Sequence, residues 1–324
     1  MRAAPQRINR RNKLTFKRRN MNIRVIYKEV LSTNGTHDLK GVVYLPEGEI
    51  KGYFQIVHGM TEYIGRYDKF MRDIASDGYI VFGYDHLGHG NTAVTEQELG
   101  FIAEKDGYKM LYEDVGAFYS AVKEEYGEMP YILMGHSMGS FVARLAAERS
   151  VTPDKLIIMG TGGRNNLAGL GIALAGLTCA FKGKRAYSSF LEKMAFGKYN
   201  ARFRDENDKF SWISSDKRVR DKFRGDKFCN FRFTVSALKD LITLNKLANE
   251  NEWFDEFNKY IKVLLVSGDN DPVGENGEKI KWIYEKLRNE GVQVTMKLYE
   301  GYRHEILNDS SYDKVLKDIK EFIK

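Results

Sequence analysis

The stretch Tyr131-Ile-Leu-Met-Gly-His-Ser-Met-Gly-Ser140 decides the fold class of this chain. Its apolar start is typical of a buried strand, and residues 141–149 have the spacing of a helix. Between them lies Gly-x-Ser-x-Gly, centred on Ser137. A tight strand-to-helix turn strains its central residue and exposes that side chain, and a Cβ on either flanking glycine would clash with backbone. We predict a nucleophilic serine here; the alternative is a helix-capping serine in a glycine-rich turn.

Strands and helices alternate on both sides of this stretch. The predicted strands are 25–31, 39–45, 53–57, 79–84, 131–134, 155–159, 263–266 and 293–298, and the predicted helices are 66–76, 105–126, 141–149, 277–289 and 311–324. This alternation predicts an α/β fold with a mostly parallel, doubly wound sheet. The Asn34-Gly35 pair between the first two strands is a hairpin signal, so these strands should form an antiparallel edge.

The alternation stops between about residues 161 and 257, where the sequence is typical of helices and has no clear strand. Because this region lies between two predicted strands, we predict an inserted helical cap at 161–257. The predicted core is then 21–160 and 258–324, preceded by a basic disordered tail at 1–20.

The net charge of +7 at neutral pH is concentrated in the predicted tail. Residues 1–20 contain eight Lys or Arg and no acid, so removing these eight charges leaves −1 for residues 21–324. A nearly neutral body weakens any nucleic-acid interpretation of the high isoelectric point. Two alternatives stay open for the tail: a start at Met21, or a transit peptide, although the serines typical of such peptides are missing.

Two cysteines, Cys179 and Cys229, cannot build a disulfide framework in a chain of 324 residues and fit a reducing compartment. No apolar segment typical of a secretory signal follows the basic start. The longest uncharged apolar run, 167–181, has 15 residues and is shorter than a membrane span. We therefore expect a cytoplasmic protein.

A serine hydroxyl needs a neighbouring base, usually a histidine that a carboxylate holds in place. In a doubly wound sheet these residues follow in the order serine, acid, histidine, on loops at the carboxyl ends of strands. His304 is the only histidine after Ser137 and follows a predicted strand. The acid is Asp271 or Asp269; we favour Asp271, because Pro272 stiffens the loop directly behind it.

The oxyanion of acyl transfer needs two backbone N–H donors. The amide of Met138, directly after the predicted nucleophile, should be one donor. Met60, on the loop after the strand at 53–57, should supply the other.

A metal site is the alternative for Asp85, His86 and His89. Tight glycine turns surround them and no further acid completes a ligand set, so we expect no metal and no other cofactor. His136 is interpreted as a packed structural residue, not as a second base.

These motifs resemble those of the α/β-hydrolases in the monoacylglycerol lipase and lysophospholipase group, also grouped with the serine aminopeptidase-like hydrolases. The matching text is His58-Gly-Met-Thr-Glu62, Gly65-Arg-Tyr67, Tyr84-Asp-His-Leu-Gly-His-Gly90, Gly135-His-Ser-Met-Gly139, Gly268-Asp-Asn-Asp-Pro272 and Arg303-His304. The resemblance covers roughly 25–324 apart from the predicted cap. It implies an α/β-hydrolase fold, with Ser137, Asp271 and His304 as the catalytic triad and the Met60 and Met138 amides as the oxyanion hole.

Two departures leave the pocket shape, and hence the substrate, open: Tyr63 stands where many members carry His, and Ser140 where many carry Gly.

The composition of the predicted cap bears on the substrate as well. Residues 182–228 contain fourteen Lys or Arg against seven Asp or Glu, next to the apolar run 167–177. A surface that is apolar beside basic suits an amphiphilic lipid or transient docking on a bilayer. The alternative is a buried cap helix beside a solvated charged face.

We therefore expect a serine hydrolase that cleaves carboxylic esters of lipids, such as monoacylglycerols or lysophospholipids, through an acyl-enzyme. The expected partners are an amphiphilic lipid ester and, through the cap, a membrane surface, but no nucleic acid. A peptidase or thioesterase could use the same triad, and only a substrate panel separates these activities. A non-catalytic binding protein should have lost a triad residue, and a nucleic-acid role would rest on the tail alone.

Overall fold

A computed structural model describes residues 22–324, so the predicted tail at 1–20 lies outside the described residues. Its sheet has eight strands: β1 (Ile23–Leu31), β2 (Asp38–Pro46), β3 (Gly52–Val57), β4 (Tyr79–Tyr84), β5 (Tyr131–His136), β6 (Lys155–Met159), β7 (Lys262–Gly268) and β8 (Val294–Tyr299). Their order is β1-β2-β4-β3-β5-β6-β7-β8. β2 pairs antiparallel with β1 and β4, and every other neighbouring pair is parallel. The predicted mostly parallel sheet with an antiparallel edge is confirmed.

Helices cover both faces of this sheet. They are α1 (Asp68–Ala75), α2 (Gly107–Tyr126), α3 (Met138–Arg149), α4 (Ala168–Lys182), α5 (Ser189–Phe196), α6 (Lys217–Gly225), α7 (Val235–Leu247), α8 (Asn251–Glu256), α9 (Glu278–Asn289) and α10 (Tyr312–Ile323). Apolar residues of α2, α3 and α9 share one core, and those of α1 and α10 share the other. Because both faces are covered, β3, β4 and β5 are buried along their whole length.

Helix α3 begins three residues before its predicted start at Phe141. Gly139 and Ser140 have weaker helix propensity than the residues that follow, so the apolar spacing alone placed the start too late. In the structure β5 ends at His136 and α3 begins at Met138, leaving Ser137 as the whole connection.

Between β6 and β7 the described chain forms α4 to α8 and no strand. One side of α4 carries the small residues Ala168, Gly171 and Ala175, which are buried. A Cβ built on Gly171 would lie 3.4 Å from Ile242 on α7, so the two helices pack closely. That this segment is a cap with bounds at 161 and 257 stays a prediction. Within residues 22–324, every helix is too short or too polar to cross a bilayer.

The carboxyl ends of the parallel strands meet at one edge of the sheet. The loops after β3, β4, β5, β7 and β8 begin there, and they carry every residue predicted to act in catalysis. The fold therefore gathers these residues at one place.

Candidate active site

Ser137 sits in a strained turn between β5 and α3. Its φ is 56° and its ψ is −122°, a conformation that residues with a side chain rarely adopt. A Cβ on Gly135 would collide with the carbonyl oxygen of Gly139, and a Cβ on Gly139 would collide with the carbonyl oxygens of Val57 and His58. The turn therefore requires glycine at both positions.

Hydrogen bonds hold this turn on both sides. The Ser137 N–H donates to the carbonyl oxygen of Met159 at 3.0 Å. The Ser137 carbonyl oxygen accepts from the N–H of Ser140 at 2.9 Å and from its hydroxyl at 2.5 Å. The Ser140 hydroxyl also contacts the Thr161 hydroxyl at 2.7 Å. Ser140, noted above as a departure from the family pattern, thus fixes the backbone of Ser137.

His304 and Asp271 form a buried pair on the loops after β8 and β7. Nδ1 of His304 lies 2.8 Å from Oδ2 of Asp271, whose side chain is fully buried. The other oxygen, Oδ1, accepts the N–H of Val273 at 2.9 Å. These contacts orient the carboxylate toward the imidazole and define which ring nitrogen faces it.

Asp269, the alternative acid, has a different task in the structure. Its Oδ1 accepts the N–H of Gly301 at 2.8 Å, and its own N–H donates to the carbonyl oxygen of Tyr299 at 3.0 Å. These bonds tie the β7 loop to the β8 loop. The structure thus places Asp271, and not Asp269, against His304.

The second nitrogen of His304, Nε2, is buried and has no hydrogen-bond partner among the described residues. The turn that carries Ser137 lies beside this ring, because the neighbouring His136 packs against His304 with ring centroids 4.8 Å apart. A Cβ built on Gly160 would lie 3.2 Å from Cε1 of His304. The three predicted triad residues are therefore brought to one site.

The two predicted oxyanion donors flank Ser137. Met138 is the first residue of α3, so the helix offers its N–H no internal acceptor. Met60 follows Gly59, and a Cβ built on Gly59 would lie 3.0 Å from Cβ of Ser137. The loop after β3 therefore passes directly against Ser137. That these amides bind an oxyanion stays a prediction.

A buried network of charges, which the sequence analysis missed, surrounds the site. Arg66 donates to Glu62 at 2.8 Å and, through two nitrogens, to Glu305 at 2.7 and 2.6 Å. Glu62 also accepts the N–H of Gly59 at 2.6 Å. Arg66 thus joins the loop after β3 to the residue that follows His304. The spacing of four residues between Glu62 and Arg66 was the available signal for this network. No local spacing links either residue to Glu305, which is 239 positions from Arg66.

His136 belongs to the same network. Its Nδ1 lies 3.0 Å from Oε1 of Glu62 and 2.9 Å from the Tyr67 hydroxyl. Burial opposes a charge on His136, but the bond to Glu62 and the negative charges of Glu62 and Glu305 outweigh it and raise its pKa. Burial likewise opposes the charge on Glu62, yet His136 and Arg66 hold the pKa of Glu62 well below its usual range. Glu62 therefore interacts with both Arg66 and His136 inside the protein.

The histidines of the suggested metal cluster pack on one another. The His86 ring centroid lies 4.3 Å from that of His58 and 6.0 Å from that of His89. Burial lowers the pKa of all three, to about 3 for His89, so they are neutral. Asp85 accepts the N–H groups of Ile64 and Asn91 at 2.8 and 2.7 Å. Residues 22–324 contain no group of three or more His, Cys, Asp or Glu side chains that could hold a metal ion.

Comparison with protein families identifies the chain. The model of the family described as "Serine aminopeptidase, S33" matches residues 48–311, which is most of the chain and includes Ser137, Asp271 and His304. The chain belongs to this S33 family of α/β-hydrolases. The match also agrees with the predicted resemblance.

Curated relatives of this S33 protein include lipases. A monoacylglycerol lipase of Mycolicibacterium smegmatis is 23% identical over 306 residues, which covers 91% of the chain and 98% of the relative. The monoglyceride lipase of Rattus norvegicus is 32% identical over 107 residues, and a monoglyceride lipase homolog of Monkeypox virus is 35% identical over 99 residues. These two matches span 33% and 31% of the relatives' own lengths.

Solved structures agree with the S33 assignment. A thermostable carboxyl esterase from Bacillus coagulans, in complex with glycerol, superposes with a TM-score of 0.87 at 30% identity, covering 92% of this chain and 97% of the esterase. A lipase in an open form gives a TM-score of 0.86 at 26% identity, covering 93% and 98%. The α/β-hydrolase fold is confirmed, and the S33 protein belongs with the lipase and esterase type of carboxylic ester hydrolase.

Proposed function

We propose that this protein is a serine hydrolase that cleaves carboxylic esters of lipids through an acyl-enzyme. The observation that carries the proposal is the buried pair of His304 and Asp271. Their Nδ1 and Oδ2 atoms are 2.8 Å apart, and Nε2 has no hydrogen-bond partner within residues 22–324. A histidine held in this way beside a strained, partly exposed Ser137 has the geometry of a general base next to a nucleophile.

The proposed reaction has two halves. The hydroxyl of Ser137 attacks the ester carbonyl while Nε2 of His304 takes its proton, and Asp271 stabilises the imidazolium that forms. The amides of Met60 and Met138 stabilise the oxyanion. His304 then gives the proton to the leaving alcohol, and water, activated by the same base, releases the acid from Ser137.

A fluorophosphonate probe tests the nucleophile. We expect wild-type protein to be labelled at Ser137, and Ser137→Ala to lose labelling and to hydrolyse esters several orders of magnitude more slowly. Ser120→Ala, which truncates an exposed serine on α2, is the matched control and should behave like wild type. Full ester hydrolysis by Ser137→Ala would exclude the proposed mechanism.

A lipid ester is the proposed substrate class because the relative that matches over its whole length is named a monoacylglycerol lipase. The esterase of high structural similarity was solved with glycerol, the alcohol of such esters. The test is a panel of a monoacylglycerol, a lysophospholipid, an acyl thioester and an aminoacyl nitroanilide. We expect the highest kcat/KM on one of the two lipid esters; a preference for the anilide or the thioester would contradict the substrate class.

We further propose that the α4–α8 segment is a cap that touches lipid surfaces. Large apolar side chains on α4 and α5, or next to them, are exposed: Leu167, Leu170, Leu177, Phe181, Phe190 and Met194. Leu167, Leu170, Leu177 and Phe181 are spaced by three, seven and four residues, so they lie on one side of α4. Exposed Lys182, Lys184 and Arg185 directly follow α4 or end it. An apolar face with basic neighbours is complementary to an anionic bilayer surface.

Vesicle flotation tests the lipid contact. We expect the protein to bind vesicles of mixed phosphatidylglycerol and phosphatidylcholine more strongly than phosphatidylcholine alone, and Phe181→Ser with Phe190→Ser to reduce binding. Tyr260→Ser is the matched control, since Tyr260 is 93% exposed but precedes β7 at the opposite edge of the sheet. Equal binding by the double variant and wild type would contradict the proposal.

A further inference from the structure

The short segment from Ser211 to Ser214 is fastened to the chain on both sides of His304. Arg303 donates to the carbonyl oxygens of Ser211 at 2.6 Å and of Ser214 at 3.3 Å. The N–H of Glu305 donates to the carbonyl oxygen of Ile213 at 2.9 Å. The two neighbours of His304 in sequence thus hold one piece of the α4–α8 segment directly over it.

Trp212 lies within this segment and packs on the proposed base. Its ring centroid is 5.0 Å from that of His304, and the two planes are inclined by 42°. The Trp212 N–H donates to Oδ1 of Asn200 at 2.9 Å, which fixes the backbone from a third direction. These bonds to backbone atoms of residues 211–214 hold the segment in place, and with it the indole against the imidazole.

Tyr199 packs against Trp212, and the two side chains form an aromatic wall of the site. The Tyr199 ring centroid lies 5.1 Å from that of Trp212. Burial raises the pKa of Tyr199, and the negative charge of Asp271 raises it further, which places the phenol near the acid of the pair. Trp212 and Tyr199 together line the side of the site where His304 and Asp271 lie.

The chemistry of ester cleavage indicates which part of the substrate contacts these two aromatic side chains. In acylation the Ser137 oxygen bonds to the carbonyl carbon, the bond from that carbon to the alcohol oxygen breaks, and the proton on Nε2 of His304 passes to the alcohol oxygen. That oxygen must come within about 2.6–3.2 Å of Nε2. A ring packed on the imidazole then lies within contact distance of the groups attached to the departing oxygen. The acyl chain, in contrast, stays on Ser137 after the alcohol has left.

We propose that Trp212 determines which alcohols the enzyme accepts in its ester substrates. The inference rests on the proposed hydrolase function. A rigid indole packed on the His304 ring should leave room for a small or flexible alcohol such as glycerol and exclude bulky, stiff ones. Because water attacks the same acyl-enzyme whichever alcohol has left, Trp212 affects the alcohol-dependent acylation step and leaves selectivity among acyl chains to other residues.

Two ester series separate these effects. One series keeps the octanoyl group and varies the alcohol from methanol and glycerol to cyclohexanol and 2-naphthol. The other keeps the nitrophenyl group and varies the acyl chain from two to twelve carbons. kcat/KM is measured for wild type, Trp212→Ala, Trp212→Phe and Tyr260→Ala, with thermal melts for each. Tyr260→Ala is the matched control, because it truncates an exposed aromatic residue that precedes β7, at the end of the sheet opposite His304.

We expect Trp212→Ala to raise the ratio of bulky to small alcohols about tenfold or more, since pocket contacts of this size discriminate by 10–200-fold. Trp212→Phe should give a smaller shift in the same direction, which tests the proposal even if the alanine variant does not fold. The relative rates along the acyl series should stay within about twofold, and Tyr260→Ala should leave both series unchanged.

An equal loss on every ester, or a changed acyl preference with unchanged alcohol preference, would overturn the role of Trp212. Failure of the proposed function looks different: wild type would then hydrolyse no member of either series and its Ser137 would resist the fluorophosphonate probe.

Discussion

The guanidinium of Arg66 and the carboxylate of Glu305 face each other through two parallel hydrogen bonds, at 2.7 and 2.6 Å. The Arg66 side chain is 9% exposed, that of Glu305 4%, and that of its second partner Glu62 3%. One buried cation therefore connects the loop that carries Met60 with the loop that carries His304. The geometry of both loops therefore depends on an ion pair that neither Met60 nor His304 makes itself.

Arg66→Met is predicted to be strongly destabilising, because it leaves two buried acids without their cation. Breaking a buried ion pair from one side costs about 3–5 kcal/mol of the free energy of unfolding. Arg72→Met is the matched control: Arg72 pairs with Asp68 on α1, but both side chains are about half exposed, so its loss should cost about 0–1 kcal/mol. Urea denaturation of both variants measures the difference, and equal losses would contradict the prediction.

Substitutions of Asp271 and Asp269, the two acids on the loop after β7, should have different effects on activity. Asp271→Asn is predicted to lower kcat by about four orders of magnitude, because the imidazolium of His304 loses its partner. Asp269→Asn should keep most activity and lose about 0.5–2 kcal/mol of stability, since Asp269 only accepts a backbone N–H. The measurements are kcat and KM on a short-chain nitrophenyl ester and the melting temperature of both variants. An inactive Asp269→Asn beside an active Asp271→Asn would reverse the assignment.

A buried acid on α7 makes stability depend on pH. Burial raises the pKa of Asp240 to about 7, against the opposing effects of a backbone bond from Tyr108 and the charge of Lys239. The carboxyl pKa of an unfolded chain is about 3.9. Because the folded pKa is higher, the stabilising effect of the neutral acid is present below about pH 4 and is lost as pH rises toward 7.

Asp240→Asn should therefore be more stable than wild type at pH 8, on the order of 2–4 kcal/mol, and nearly equal to it at pH 4. The measurement is urea denaturation of both proteins at the two pH values. Glu278→Gln, at an exposed acid in the first turn of α9, is the control and should show no such gain. A gain for Asp240→Asn of the same size at both pH values would show that its charge is not the cause.

Two glycines, Gly139 and Gly176, are predicted to respond in opposite ways to substitution by alanine. Gly139→Ala should abolish activity and lower the melting temperature, since its Cβ has no room between the carbonyl oxygens of Val57 and His58. Gly176→Ala, on α4, meets nothing within 4 Å and should stabilise the protein by about 0.5–1 kcal/mol. Thermal melts compare the two. A tolerated alanine at 139 would contradict the tight turn at Ser137.

The sequence predicted those parts of the molecule that depend on neighbours along the chain. Strand β4 matches its predicted range of 79–84, because an apolar run between glycine-rich turns has one interpretation in an alternating fold. The order of serine, acid and histidine after successive strands likewise brought three distant residues into one hypothesis.

Contacts between residues far apart in sequence carried no such signal. Arg66 and Glu305 are 239 positions apart, and the segment around Trp212 reaches His304 across 92 positions. Neither pair obeys a helical or strand period, and an isolated arginine or tryptophan is more often a surface or core residue. Only the folded chain shows that these side chains surround the proposed base.

The backbone conformation of Ser137, with its φ of 56°, lowers the stability of the folded state. Glycine adopts such a backbone freely, whereas a residue with a Cβ costs of order 1–3 kcal/mol. Ser137→Gly should consequently melt above both wild type and Ser137→Ala. Thermal stability and the proposed chemistry therefore make opposite demands on this one position, and a variant chosen for stability alone would lose the proposed nucleophile.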